Sequence, residues 1–384
     1  MFCTLENVRI AGLRTVVPAN EIRLEDEAEY YGGSTKKIAR LKATLGMDRR
    51  RVCPPDVTAS DLCTHAAKDL LKAFPGSPKN IDALIFLSQW PDWHQPATAC
   101  ELQYRLGLPT SCAAFDVNQG CAGYVYGLWI GASLVAAGAA RQVLLLVGDT
   151  PSKLLDQRNR IVAPVFGDAG SATLLVRDDA ASPLHFGLGT DGSGFEDIII
   201  PAGKARIPFV RDHDQNRELV EDITDTSGTP WQMTDLYMDG GAVFNFTMDV
   251  VPSHIMAAMT YSKSSPKDFD WLILHQANKQ IVANIADKTG FTLEKIPSAA
   301  FGKFGNCAAA SIPTVLADNF GNTVTPGHLL LCGYGIGLAW ASCEAIIESW
   351  DCKPVLDFVA DPQRPTRQER IRHWQQKMKG ESVA

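Results

Sequence analysis

Ser77-Pro78-Lys79-Asn80-Ile81-Asp82-Ala83-Leu84-Ile85 and Ser265-Pro266-Lys267-Asp268-Phe269-Asp270-Trp271-Leu272-Ile273 share the pattern Ser-Pro-Lys-x-x-Asp-x-Leu-Ile and lie nearly half the chain apart. In both copies a helical stretch precedes the Pro turn (about 60–73 and 242–260). An apolar strand follows the turn, and a second helix comes next (about 96–106 and 276–289). The same order of elements around the same residues is the mark of an internal duplication.

The echo continues past the helices. A small-residue turn holding Cys121 leads into an apolar helix and the strand Val143-Leu144-Leu145-Leu146-Val147; a turn holding Asn306 and Cys307 leads into another helix and Leu329-Leu330-Leu331. Strands that are apolar on both faces and alternate with helices predict an α/β protein whose sheets are mostly parallel and covered by helices. Two duplicated halves, residues 1–178 and 179–350, are expected to pack face to face about a pseudo-twofold axis. Residues 200–235, polar and rich in Asp and Thr, interrupt the second half as an insertion or lid-like loop. Residues 351–384 form a charged C-terminal tail with a surface helix around Arg367 to Lys379.

Composition bounds what such a chain does. Its 384 residues suit two comparable lobes, and 46% hydrophobic with 21% charged residues is the balance of an ordinary globular protein. A formal net charge of −7 speaks against nucleic acid as the main partner. Residues 1–30 lack a basic start followed by an apolar run, and no apolar stretch of about 18 residues occurs, so the expected location is the cytoplasm. The ten cysteines include no Cys-x-x-Cys pair, which disfavours a disulfide framework or a zinc site and makes most of them small buried hydrophobes.

Three motifs carry candidate chemistry. In Asn118-Gln119-Gly120-Cys121-Ala122-Gly123-Tyr124, the cysteine stands between a strand (Ala113 to Val117) and a helix. Unpaired N–H groups and the helix dipole at such a turn favour thiolate over thiol, making Cys121 a nucleophile candidate; the plain alternative is one more core cysteine. His275 ends the apolar strand Leu272-Ile273-Leu274, where ligands bind in open α/β sheets, although a structural histidine is the alternative there. Asn306 lies in Phe304-Gly305-Asn306-Cys307-Ala308, either as a site residue or as a helix cap. The repeat links the three: Cys121 and Asn306 fall at corresponding turns, and His275 sits one strand earlier in the second half. A fourth stretch, Gly333-Tyr334-Gly335-Ile336-Gly337, lacks the following helix and acidic residue of a dinucleotide site, but its N–H groups suit an oxyanion hole.

Together, Cys121, His275-Gln276-Ala277-Asn278, Gly305-Asn306 and Gly333 to Gly337 resemble the β-ketoacyl-acyl-carrier-protein synthase III family of the thiolase superfamily, over about residues 5–350. The resemblance implies the thiolase fold, five layers in the order αβαβα, with Cys121 taking the acyl group. It implies that His275 and Asn306 stabilise the enolate formed when a malonyl-thioester loses CO2, and that the N–H groups of Cys121 and Ile336 form the oxyanion hole. It further implies a homodimer built through about residues 95–120, acyl carrier protein as partner, no metal or redox cofactor, and substrates held as phosphopantetheine or coenzyme A thioesters.

Departures from the family pattern point to a specialised lipid or polyketide-type relative. Arg40 stands where the family has a tryptophan that stacks on coenzyme A adenine, while its stacking partner, Arg160, is retained. A carrier-protein donor is therefore expected. Of the family's basic carrier-docking positions, Asn245, Gln280 and Asp287 replace three, Lys288 is kept, and Lys279 is a neighbour. His94 and Gln95 precede Pro96 where apolar residues usually flank the acyl pocket, which suggests an unusual acyl group. The expected reaction is decarboxylative Claisen condensation; the alternative is transfer of the Cys121 acyl group to an alcohol or amine.

Overall fold

Alternate residues of single strands serve different layers. In the strand Gln142–Asp149, Val143, Leu145 and Val147 join one apolar cluster and Leu144 and Leu146 another. In Gly327–Gly335, Leu329 and Leu331 join that first cluster, whereas Leu330 and Cys332 join a third. Because a strand sends successive side chains to opposite faces, the shared cluster is the layer sandwiched between two sheets. The helices Gly123–Ala136 and Ser311–Phe320 fill it. Helices Ala59–Ala73 and Thr98–Arg105 cover the outer face of one sheet, and Gly240–Ser262 and Lys279–Thr289 that of the other. The protein thus has the five-layered αβαβα thiolase fold. The structure, a computed structural model, describes residues 1–74, 76–226 and 228–380.

The sheets are mixed, not mostly parallel as expected. Ala83–Leu87 runs parallel to both Ala113–Val117 and Gln142–Asp149, and Trp271–Leu274 parallel to Gly327–Gly335. The remaining long pairs, including Gln142–Asp149 with Ala169–Arg177 and Gly327–Gly335 with Ala339–Ile347, are antiparallel. The last pair is joined by a turn too short for the crossover that a parallel pair requires. Strands apolar on both faces arise here from burial between two helix layers, which constrains side chains and not strand direction.

The ends of the chain trade sheets, so the boundaries at 178 and 350 differ from the observed pairing. Phe2–Leu5 pairs with Leu184–Thr190 in the five-stranded sheet of the second half, while Asp351–Cys352 and Leu356–Phe358 pair with Val8–Pro18 in the seven-stranded sheet of the first. Part of the charged tail is therefore sheet. The rest stays on the first half: Arg364 bonds to Asp61, and Trp374 of the helix Arg367–Met378 meets Trp93 edge-on at 6.1 Å. Among the described residues, no helix is long and apolar enough to cross a membrane.

Arg14 secures the returning strand. Its side chain is fully buried and bonds Asp69 at 2.7 Å, Asp351 at 2.8 Å and the carbonyl oxygens of Leu13 and Asp351. Removing one member of a buried ion pair typically costs about 3–5 kcal/mol, and both aspartates here can recover some water. Arg14→Met should therefore lower stability by about 3 kcal/mol in urea unfolding, whereas a loss below about 1 kcal/mol would show that the pairing contributes little.

Candidate active site

The strand Ala113–Val117 hands the chain to a tight turn at Gly120–Cys121, closed by the Gly123 N–H donating to the Gly120 carbonyl at 2.7 Å. The facing turn comes from the other half. Ile336 lies between the long strands Gly327–Gly335 and Ala339–Ile347, and its N–H points at Cys121 Sγ together with the N–H of Cys121 itself. Two glycines make this approach possible. A methyl group on Gly120 would lie 1.6 Å from Ile336 Cγ2, and one on Gly335 would lie 3.0 Å from Cys121 Sγ. Gly335 also has φ of +152°, a conformation that L side chains rarely adopt.

His275 and Asn306 line the same cavity as Cys121. His275 is held from three sides: its N–H donates to the Cys332 carbonyl at 2.9 Å, its carbonyl accepts from Tyr334 Oη at 3.0 Å, and its ring meets that of Tyr334 edge-on at 5.5 Å. Asn306 donates its backbone N–H to the Val165 carbonyl and accepts from the Gly167 N–H, which docks the turn on the first half. Its Oδ1 accepts from the Ala308 N–H at 3.0 Å, leaving the Nδ2 hydrogens for the cavity. Ala308 has φ of +47°, the local strain that lets one short turn present Asn306 and face His275.

The titration of these groups is governed by burial. Desolvation, then the nearby Asp149 carboxylate, pushes the Cys121 thiol up to about 12, and the two N–H groups offset only part of that rise. The thiolate expected from the helix position is thus a minor form. Desolvation takes His275 the other way, down to about 4, so its imidazole is neutral near pH 7, with the Ala308 carbonyl opposing the shift.

Asp149 is the residue that sequence reasoning missed. It lines the cavity, is 2% exposed, and accepts from Ser88 Oγ, the Gln89 N–H and Gln89 Nε2 of the first half and from the Ala309 N–H of the second. Burial raises its carboxyl to about 6. A charged residue ending the apolar strand 143–147 was the available signal, the same one that selected His275.

The remaining predicted residues lie elsewhere. Arg40 is on the exposed face of the helix Thr35–Leu45, whose Ile38 packs in one cluster with Tyr31. Arg160 is exposed on a loop near Tyr31, whose phenol burial pushes up to about 12 against the weaker opposing charge of Arg160. Lys279 opens the helix Lys279–Thr289 beside Gly46, exposed. Lys288 instead donates to the Met248 carbonyl at 2.8 Å, tying it to its own fold. His94 and Gln95 stand beside the cavity of Cys121 and not in its wall, His94 Nδ1 lying 3.5 Å from the ammonium of Lys204, which does line it. Asp92 is pinned by the hydroxyls of Thr58 and Ser60 and donates its N–H to Thr98 Oγ1, so the chain between bows outward; His94 lines an adjoining groove. The cavity walls come partly from the insertion and its neck, through Ile198, Ile200, Ala202, Leu236 and Met238.

The low value for His275 has a measurable consequence. In an unfolded chain a histidine titrates near 6.5, so between about pH 6.5 and 4 the unfolded state binds a proton that the folded state refuses, and stability falls as pH drops through that window. A ring-nitrogen NMR titration should show His275 still neutral at about pH 5.5. A midpoint near 6.5 would contradict this burial.

Comparison with known proteins agrees with the geometry. Residues 115–192 match the family model for 3-oxoacyl-[acyl-carrier-protein (ACP)] synthase III, and residues 259–345 match the model for its C-terminal part. A Campylobacter jejuni protein carrying the provisional name 3-oxoacyl-[acyl-carrier-protein] synthase 3 is 34% identical over 93% of this chain and 98% of its own. A β-ketoacyl-[acyl-carrier-protein] synthase III from Rhodopirellula baltica is 32% identical over 88% and 98%. The crystal structure of a 3-oxoacyl-(acyl-carrier protein) synthase from Burkholderia xenovorans superposes with a TM-score of 0.84 at 32% identity, covering 93% of this chain and 99% of that one. With Cys121, His275 and Asn306 gathered in one cavity between two duplicated halves, the chain belongs to the β-ketoacyl-acyl-carrier-protein synthase III family of the thiolase superfamily.

Proposed function

We propose that this protein catalyses decarboxylative Claisen condensation between an acyl group on Cys121 and a malonyl-thioester on acyl carrier protein. The observation that carries the reading is the pair of neutral donors, His275 and Asn306, lining the cavity of Cys121. In the first half-reaction Sγ attacks the acyl-thioester carbonyl, with His275 taking the thiol proton and returning it to the departing pantetheine thiolate. The N–H groups of Cys121 and Ile336 receive the negative charge that develops on the carbonyl oxygen. In the second, the C–C bond to the malonyl carboxylate breaks, CO2 leaves, and the electron pair flows to the thioester oxygen facing His275 and Asn306. The resulting carbanion attacks the acyl carbon, and Cys121 departs as a thiolate that takes a proton from solvent water. The new bond forms with the electrons that CO2 leaves behind, so no metal or redox group is needed.

A neutral imidazole suits this role because it can donate one N–H without adding a charge that would hold the malonyl carboxylate in place. Arg40 offers no aromatic face to an adenine, while the exposed cations Arg160 and Lys279 can still meet the phosphate of a carrier arm. Loss of one aromatic stack on a base is worth roughly 1–3 kcal/mol, so carrier-bound acyl groups should be better donors than coenzyme A thioesters.

One experiment tests both halves: intact-mass measurement of Cys121 acylation from each donor, run beside CO2 release from labelled malonyl-thioester. Cys121→Ala should form no adduct. Asn306→Ala should acylate nearly normally yet release CO2 about 100- to 1000-fold more slowly, the usual cost of one oxyanion donor. Wild type that acylates but never releases CO2, passing its acyl group to an alcohol or amine, would replace condensation by simple acyl transfer.

Dimerisation belongs to the same reading. The strand Ala113–Val117 closes the edge of the seven-stranded sheet with Phe115 and Val117 half-buried, and Tyr104 nearby is 83% exposed. Such an apolar sheet edge favours pairing with a second copy. Light scattering should give about twice the chain mass of 41.7 kDa at micromolar concentration, and a monomer alone would exclude it.

A further inference from the structure

The cavity of Cys121 is walled largely by apolar side chains, Leu154, Ile198, Ile200, Leu236 and Met238 among them, yet Lys204 also lines it. Lys204, Trp90, Leu154 and Ala202 are shared with the adjoining groove and so form the partition between the two spaces. The backbone holds Lys204 there: the Ala202 N–H donates to the Met233 carbonyl and the Gly203 N–H to the Ile207 carbonyl, both at 2.9 Å. Its ammonium lies 5.6 Å from the centroid of the Trp90 ring and 3.5 Å from His94 Nδ1.

Lys204 forms no salt bridge among the described residues, and the acids that line the two spaces hold donors other than Lys204. Asp149 accepts from four donors, Asp92 from the hydroxyls of Thr58 and Ser60, Asp156 from Arg158, and Asp235 from the Gln232 N–H. A cation on an aromatic face beside an imidazole, in the wall of a largely apolar cavity, is complementary to a chain that is apolar in the middle and anionic at its tip.

We propose that the acyl group loaded on Cys121 ends in a carboxylate, as in the monothioester of a dicarboxylic acid, and that Lys204, steadied by Trp90 and His94, is its counter-ion. The proposal rests on Cys121 as the acylated residue and names the substrate class of that site. It requires neither malonyl decarboxylation nor any particular acceptor, so its test reads acylation alone.

The test compares ω-carboxyacyl and plain acyl N-acetylcysteamine thioesters, matched in chain length over a graded series, by the rate at which each adds to Cys121 in intact-mass measurements. These thioesters carry no phosphate, which removes the pantetheine arm as an anion source. Wild type should prefer the ω-carboxyacyl member at one chain length. The ratio of the two rates should fall about tenfold in Lys204→Met, the lower end for a charged hydrogen bond because Lys204 keeps contact with water, and recover in Lys204→Arg. Taking the ratio within each variant cancels any general loss of folded protein. A ratio unchanged by Lys204→Met overturns the proposal. So does a loss seen equally for plain and ω-carboxy acyl groups and only on phosphate-bearing coenzyme A thioesters, which would assign Lys204 to the carrier arm.

Discussion

The contact between the Gly120–Cys121 turn of one half and the Gly335–Ile336 turn of the other is the constraint on which the rest of the molecule depends. It is closer than any side chain at either glycine would allow, and it brings the N–H of Ile336 to Cys121 Sγ. Neither half contains both parts. The central helices Gly123–Ala136 and Ser311–Phe320 therefore do more than bury apolar surface: by packing in one cluster between the sheets they set the spacing at which the two turns meet. The exchange of terminal strands reinforces that spacing, since Phe2–Leu5 and Asp351–Cys352 each bind the sheet of the opposite half.

Burial, and not the helix dipole, decides the protonation of the site. A helix N-terminus stabilises a nearby charge by about 0.3–1 kcal/mol, up to about 2 in favourable cases. Raising a thiol from its ordinary value near 9.0 to about 12 corresponds to roughly 4 kcal/mol in the opposite direction. The same low-dielectric environment keeps His275 neutral. A buried thiol and a neutral imidazole form a resting state that becomes nucleophilic when a thioester carbonyl supplies somewhere for charge to go. Asp149, beside the thiol and bonded to both halves, adds a second brake on the thiolate while its four acceptor contacts hold Gln89 and the Ala309 turn in place.

Much of this was legible in the sequence because duplication leaves a pattern that local chemistry must repeat. The Ser-Pro-Lys-x-x-Asp-x-Leu-Ile copies located two strands, Ala83–Leu87 and Trp271–Leu274, and the turns after their neighbours located Cys121 and Asn306. Strand direction was not legible, since apolarity on both faces reports burial alone. Nor was the use of the tail: Arg14, in a strand that reads as apolar, takes Asp351 as partner through a contact spanning almost the whole chain. The course of the loop that carries His94 was hidden for a similar reason, because the Asp92 contacts to Thr58, Ser60 and Thr98 that bow it outward join residues with no periodic relation.

The duplication also explains why the site is asymmetric. At corresponding turns, one half places a nucleophile against the foreign hairpin, and the other places an amide whose Oδ1 is engaged by its own Ala308. Only the second half carries the insertion, closed at its neck by the antiparallel pair Ile198–Ile199 and Tyr237–Met238, and only on that side does the cavity acquire a wall outside the repeated core. Residues that form the turns and strands are constrained by packing against both sheets and can change little without opening the contact at Cys121. The insertion lies outside the repeated strands and turns, so its side chains can vary the shape and charge of the cavity while the reacting groups stay fixed. Chemistry resides in the duplicated frame, and the choice of acyl group in the segment that breaks it.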